Sequence, residues 1–195
     1  MTTHTRDFSN YFLWALLALP SVALLYRYMD GSSFYGEIIH LSGQWATQLL
    51  IFSLAVSPLR LLFPKAPWNA WLLRSRRYFG VASFAYAALH TGVYVVKKAT
   101  FDRILSEGLE AGLLTGWLAL IVFLPLAITS NNYSVRLLRR NWKFLHRLVY
   151  LATALVFAHW LLTAFDRSLS IYHIATLLAL EFIRLALYRR TSSPG

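Results

Sequence analysis

The 195-residue chain contains no cysteine. That excludes disulfides, thiolate-bound metals and cysteine-held iron–sulfur clusters, and also haem attached covalently through a C-x-x-C-H motif. Charge is scarce: Asp, Glu, Lys and Arg make up 14% of the residues, against roughly 25% in soluble domains. Acids are scarcest, 8 against 19 Lys plus Arg, giving a formal net charge of +11. No G-x-G-x-x-G or Walker A motif occurs, so the chain is expected to carry no nucleotide-binding domain of its own. Long polar linkers and low-complexity tracts are missing too.

Apolar length is what remains. Hydrophobic residues make up 57% of the chain, and the mean hydropathy is +0.50. Six stretches are long enough to cross a bilayer: 11–28, 44–63, 78–96, 112–129, 144–165 and 169–188. Only helices satisfy their own backbone in lipid, and no alternating barrel pattern is visible. The expected fold is an all-α membrane protein, a six-helix transmembrane bundle forming one domain over residues 1–195. Pro20 and Pro125 fall inside spans as candidate kinks. The opening MTTHTRDFSNYFLWALLALP lacks the basic start and A-x-A site of a signal peptide, so it reads as the first span. His4 reads as part of a disordered tail.

The basic residues lie between apolar runs, which points to membrane topology and a lipid environment rather than nucleic acid. Lys65, Arg74, Arg76 and Arg77 follow the second span, Arg136, Arg139, Arg140 and Lys143 the fourth, and Arg189 and Arg190 the sixth. The opposite loops hold Asp30, Glu37, Asp102, Glu107, Glu110 and Asp166. With six spans, both termini are expected on the cytoplasmic side. The sequon Asn132-Tyr133-Ser134 then falls on that inner side and reads as chance. The glycines at 108, 112 and 116 read either as a helix-packing face or as a loose loop.

Three histidines lie in or at apolar spans: His90, His146 and His159. Ionisable groups inside a bilayer are costly and usually functional. His90 and His159 each sit six residues before the expected outer end of a span, about 9 Å deep. Two imidazoles at one level suit the axial positions of a b-type haem. The alternative is that each merely hydrogen-bonds a neighbouring helix. His146 lies roughly 20 Å lower, and the facing position on span three holds Arg76 and Arg77. Arginine is a poor iron ligand but pairs with haem propionates or a flavin phosphate, while plain topology signalling is the competing reading. On an ideal helix, thirteen residues turn His146 and His159 about 140° away from a common face. Local over- or underwinding, or different neighbours, would reconcile them. His40, at the end of the first outer loop, and His173 read as interfacial. Phe84, Phe157 and Trp160 read as shields around the ligands, and Glu181 and Arg184 as an i,i+3 pair.

Several segments together resemble the MsrQ (YedZ) family. They are Arg76-Arg77-Tyr-Phe-Gly80 with Tyr86-Ala-Ala-Leu-His90, and His40-Leu-Ser-Gly43-Gln-Trp45-Ala46. Ser57-Pro58-Leu59-Arg60, Pro125-Leu126-Ala127-Ile-Thr129-Ser130 and Trp142-Lys-Phe-Leu-His146-Arg-Leu-Val-Tyr150 with His159 complete the match. It spans roughly residues 35–165, with Ser42 where threonine is more usual. The resemblance implies a ferric-reductase-like transmembrane domain in the bacterial inner membrane. It implies haem b, one or two, with FMN also associated with the family, and places His90, His146 and His159 as haem histidines with Arg76 at the inner level. Electrons would come from quinol or a cytoplasmic flavin reductase. They would pass to a periplasmic molybdopterin-containing methionine sulfoxide reductase, so the chain would be an electron-transfer subunit rather than the catalytic one. The rivals are a stand-alone ferric reductase and a non-redox transporter or scaffold.

Overall fold

The computed structural model describes the backbone of residues 3–192 and the side chains of residues 10–188. The described residues form nine helices and no strand: α1 (Thr3–Met29), α2 (Tyr35–Leu62), α3 (Asn69–Lys98), α4 (Phe101–Gly108), α5 (Ala111–Ile128), α6 (Asn132–Leu138), α7 (Arg140–His146), α8 (Val149–Thr163) and α9 (Ser168–Ser192). Six segments are long and apolar enough to cross a membrane: Asn10–Met29, Tyr35–Leu62, Asn69–Lys98, Ala111–Ile128, Arg140–Thr163 and Ser168–Tyr188. The expected six-span helical fold is therefore present. Large apolar side chains such as Ile121, Leu124 and Phe182 point outward, as a lipid-facing surface requires.

Several boundaries differ from the sequence reading. α2 begins nine residues before the expected 44, so His40 lies inside a helix and not at the end of a loop. α3 begins at Asn69, which places Arg74, Arg76 and Arg77 in its first turns rather than in a loop. Polar residues continue these helices because a helix leaving the bilayer keeps its internal hydrogen bonds. His4 falls in the first turn of α1 and not in a tail; its side chain, like those of Arg189 and Arg190, lies outside the described residues.

The fifth span is broken. Arg147 donates to the Phe144 carbonyl at 3.1 Å, Leu148 to Leu145 at 3.0 Å and Tyr150 to Arg147 at 3.1 Å. These i→i+3 bonds overwind the chain between α7 and α8. The chain is thus locally overwound there, and the ideal-helix angle between His146 and His159 does not apply.

Among the described residues three apolar clusters join the spans, the smallest of them Leu24 of α1, Ile38 of α2 and Val93 of α3. Leu50 and Leu54 of α2 meet Phe123 of α5, Ala152 and Phe157 of α8, and Leu177 of α9. Leu13 of α1 meets Leu49 and Val56 of α2 and Leu72, Phe79 and Tyr86 of α3. Ser83 of α3, 1% exposed, donates to the Ala46 carbonyl of α2 at 2.7 Å. Such interhelical bonds hold helices together where lipid removes the hydrophobic driving force. The Glu181–Arg184 pair is present at 3.0 Å, and Arg184 also donates to the Tyr150 hydroxyl at 2.6 Å.

Candidate functional site

His90 on α3 and His159 on α8 line one cavity of about 560 Å³ enclosed by α2, α3, α5 and α8. That size suits a small-molecule or cofactor site. The two ring centroids are 6.0 Å apart and the rings are perpendicular, at 88°. Metal–imidazole bonds are about 2.0 Å and a ring centre lies about 1.1 Å behind its nitrogen, so trans imidazoles on one metal place their centroids about 6 Å apart. Among the described residues no group of three or more His, Asp or Glu could hold a bare metal. The histidine pair fits a metal whose remaining ligands come from a macrocycle.

Depth counted from helix ends does not explain this meeting. His90 lies eight residues before the end of α3 and His159 four before the end of α8. The rings meet because the neighbouring helices fix them. His90 Nδ1 lies 2.8 Å from the Ile39 carbonyl of α2, and His159 Nδ1 lies 2.8 Å from the Gly112 carbonyl of α5. A carbonyl only accepts, so each Nδ1 carries the proton and each Nε2 keeps a free lone pair. A backbone acceptor behind the ring is the usual support of a metal-ligating histidine. The alternative from sequence, bonding to a neighbouring helix, is thus met at Nδ1 without occupying Nε2.

The two supports share a pattern. Three residues after each carbonyl a hydroxyl returns to it: Ser42 to Ile39 at 3.1 Å and Thr115 to Gly112 at 2.7 Å. One residue later stands a glycine beneath the ring. A Cβ on Gly43 would lie 3.1 Å from His90 Nδ1, and one on Gly116 would lie 2.8 Å from His159 Nδ1. Sequence reasoning missed both roles. The signal was the repeated hydroxyl–glycine dipeptide, Ser42-Gly43 and Thr115-Gly116. Gly112 and Gly116 do form a packing face, against Thr163 and His159 of α8, while Gly108 ends α4 beside Trp117.

The cavity is apolar at depth, where Leu50, Leu120, Phe123 and Val156 line it, and polar at its mouth, with His40, Gln44, Tyr94, Lys98 and Glu107. Lys98 and Tyr94 both donate to Glu107, Lys98 at 2.8 Å and Tyr94 at 3.2 Å. Of the expected shields only Trp160 lines the cavity; Phe157 and Phe84 belong to the core cluster behind it. Trp160 also packs on His173, with centroids 5.2 Å apart.

His146, Arg76 and Arg77 do not line this cavity. His146 Nε2 is 3.0 Å from the Thr129 hydroxyl at the end of α5, and its ring stacks on Trp142 at 4.0 Å. Arg76 donates to the Ser57 hydroxyl at 3.2 Å and Arg77 to the Asn132 side-chain oxygen at 2.8 Å. Both guanidinium groups lie within electrostatic reach of His146. The structure thus gathers the predicted residues at two separate levels, the His90–His159 pair and a cationic group around His146.

The family described as ferric reductase like transmembrane component matches residues 42–166. Curated relatives include the protein-methionine-sulfoxide reductase heme-binding subunits MsrQ of Brucella ovis, Brucella canis and Brucella suis. Each is 37% identical over 161 residues, which cover 80% of this chain and 71% of the relative.

Proposed function

The chain belongs to the ferric reductase-like transmembrane family and to the MsrQ group within it, and from that premise we propose that it is the haem-binding electron-transfer subunit of a methionine sulfoxide reductase system. The observation that carries the reading is the His90–His159 pair, 6.0 Å between ring centroids, with each Nδ1 committed to a backbone carbonyl. The two Nε2 lone pairs would take the axial positions of a b-type haem. A bound haem supplies a one-electron carrier. The protein holds it, fixes the ligand tautomers and excludes water. The apolar depth of the cavity suits the hydrocarbon edge of a macrocycle, and the polar mouth suits its carboxylates.

The finer reading follows the charge pattern. The basic end, with Arg76, Arg77 and Arg136, is cytoplasmic, and the mouth by Lys98 and Glu107 is periplasmic. Electrons enter from quinol or a cytoplasmic flavin reductase. His146, aided by Arg76 and Arg77, serves an inner cofactor, a second haem or FMN. Electrons leave at the mouth to a periplasmic molybdenum-containing reductase. An optical spectrum of the purified protein, oxidised and dithionite-reduced, with haem quantified per chain, tests the reading. A low-spin b-type spectrum lost in both His90→Ala and His159→Ala is expected. A colourless wild-type protein, or unchanged spectra in both variants, would overturn it. Reduction of ferric chelates without any second protein would instead favour a stand-alone reductase.

A further inference from the structure

We propose that Gly43 and Gly116 are positioning residues that lock the two axial imidazoles at right angles and so set the electronic state of the iron between them; this rests on the ligation reading above. The glycines stand on α2 and α5, while the histidines stand on α3 and α8. Each glycine lies four residues after the carbonyl that binds the ring. On a helix that places it one turn on, on the same face. A side chain there would push against the ring that its own helix holds. The clearances are graded: 2.8 Å from a Gly116 Cβ to His159 Nδ1, with Cε1 at 3.0 Å and Cγ at 3.2 Å, against 3.1 Å from a Gly43 Cβ to His90 Nδ1. The first separation is closer than side-chain carbons come. The second requires the ring to give by a few tenths of an ångström.

The consequence is electronic. Parallel imidazole planes split the iron dxz and dyz orbitals along one axis. Perpendicular planes act along two axes and nearly cancel, which leaves the orbitals close in energy and makes the low-spin ferric state strongly anisotropic. The 88° between the rings is the second case. The carbonyl behind each Nδ1–H also makes the imidazole a stronger donor and favours ferric iron. Turning a ring off its carbonyl weakens that effect and raises the midpoint potential.

The test is low-spin ferric EPR and potentiometry on the purified protein. Wild type should give a highly anisotropic low-spin signal. Gly116→Ala should lower its largest g value and raise the midpoint potential, and Gly43→Ala should do the same by less. Gly92→Ala is the control, on the helix of His90, where an added Cβ meets nothing within 4 Å. It should leave both readouts unchanged, because glycine-to-alanine changes in helices are ordinarily favourable. Should Gly116→Ala fail to accumulate, Gly43→Ala decides. Wild-type g values and potential in the alanine variants, or an equal shift in Gly92→Ala, would overturn the proposal. Loss of low-spin haem from the wild type would instead overturn the ligation beneath it.

Discussion

His146 Nε2 stands 3.0 Å from the Thr129 hydroxyl, and that hydroxyl gives its own proton to the Pro125 carbonyl at 2.6 Å. Thr129 therefore accepts from His146, whose proton sits on Nε2 and whose lone pair sits on Nδ1. His90 and His159 have the opposite tautomer. The structure thus assigns His146 a different neighbour and a different open nitrogen. His146→Ala should keep the low-spin signal of the His90–His159 level, with any loss confined to a second cofactor. Disappearance of the entire low-spin spectrum in this variant would make His146 an axial ligand of that haem and contradict the pairing.

His40 shares the cavity with the ligand pair but stands at its mouth. On the proposed ligation by His90 and His159, a third imidazole would have no coordination role. His40→Ala should bind haem at wild-type stoichiometry with an unshifted reduced spectrum. A high-spin spectrum in this variant would show that His40, and not one of the other two, completes the coordination.

The six spans were legible because a bilayer forces apolar length, and 112–129 differs from α5 by a single residue at each end. The first turns of α2 and α3 were not legible, because polar sequence can continue a helix into water without any local signal. The histidine pair could be read from its chemistry, two imidazoles inside apolar spans, but not from its depth below the helix ends. Its supports could not: a backbone carbonyl has no sequence identity, and a glycine under a ring looks like any packing glycine. Only tertiary placement distinguishes Gly116, which abuts His159, from Gly92, which abuts nothing. The break at 147–148 was likewise hidden, since neither proline nor glycine marks it.

Leu54 tests the frame apart from the site. It is 1% exposed and joins Phe123, Ala152, Phe157 and Leu177 across three other helices. It does not line the cavity. Leu54→Ala should cost about 2 kcal/mol, the packing share of a buried leucine deletion where lipid replaces water as the reference. Denaturation in detergent by heat or SDS would measure this, with an unchanged haem spectrum before unfolding. Wild-type stability would mean that the α2–α5–α8–α9 cluster is not the core of the bundle.

Orientation has its own prediction. Arg77 of α3 reaches Asn132 of α6, so the two basic segments meet at one end of the bundle. At the other end two of the cations are paired with acids, Arg27 with Glu37 at 2.8 Å and Lys98 with Glu107 at 2.6 Å. An excess of unpaired positive charge marks the cytoplasmic end. A fluorescent protein fused at the C-terminus should therefore glow in cells, and alkaline phosphatase fused there should be inactive. The reverse pattern would invert the proposed direction of electron flow.

The Lys98–Glu107 bridge ties α4 to α3 at the cavity mouth, and its pH dependence has a definite sign. The hydrogen bond from Lys98 holds the Glu107 carboxyl below its usual range. A carboxylate that is more acidic in the folded state contributes stability above its ordinary pKa, and that contribution is lost as pH falls through the lowered value. The anchoring of α4 should thus be complete at neutral pH and weaken only in acid. Glu107→Gln, which removes the charge at every pH, should weaken it at pH 7 already. Amide exchange in residues 101–110, taken as a ratio to an unstructured peptide of the same sequence, reads the effect. Faster exchange at pH 7 in Glu107→Gln than in wild type is the expected outcome. Equal exchange in the two proteins would mean that the exposed bridge is too screened to hold the helix, and that Phe101 and Leu105 anchor it in the interface instead.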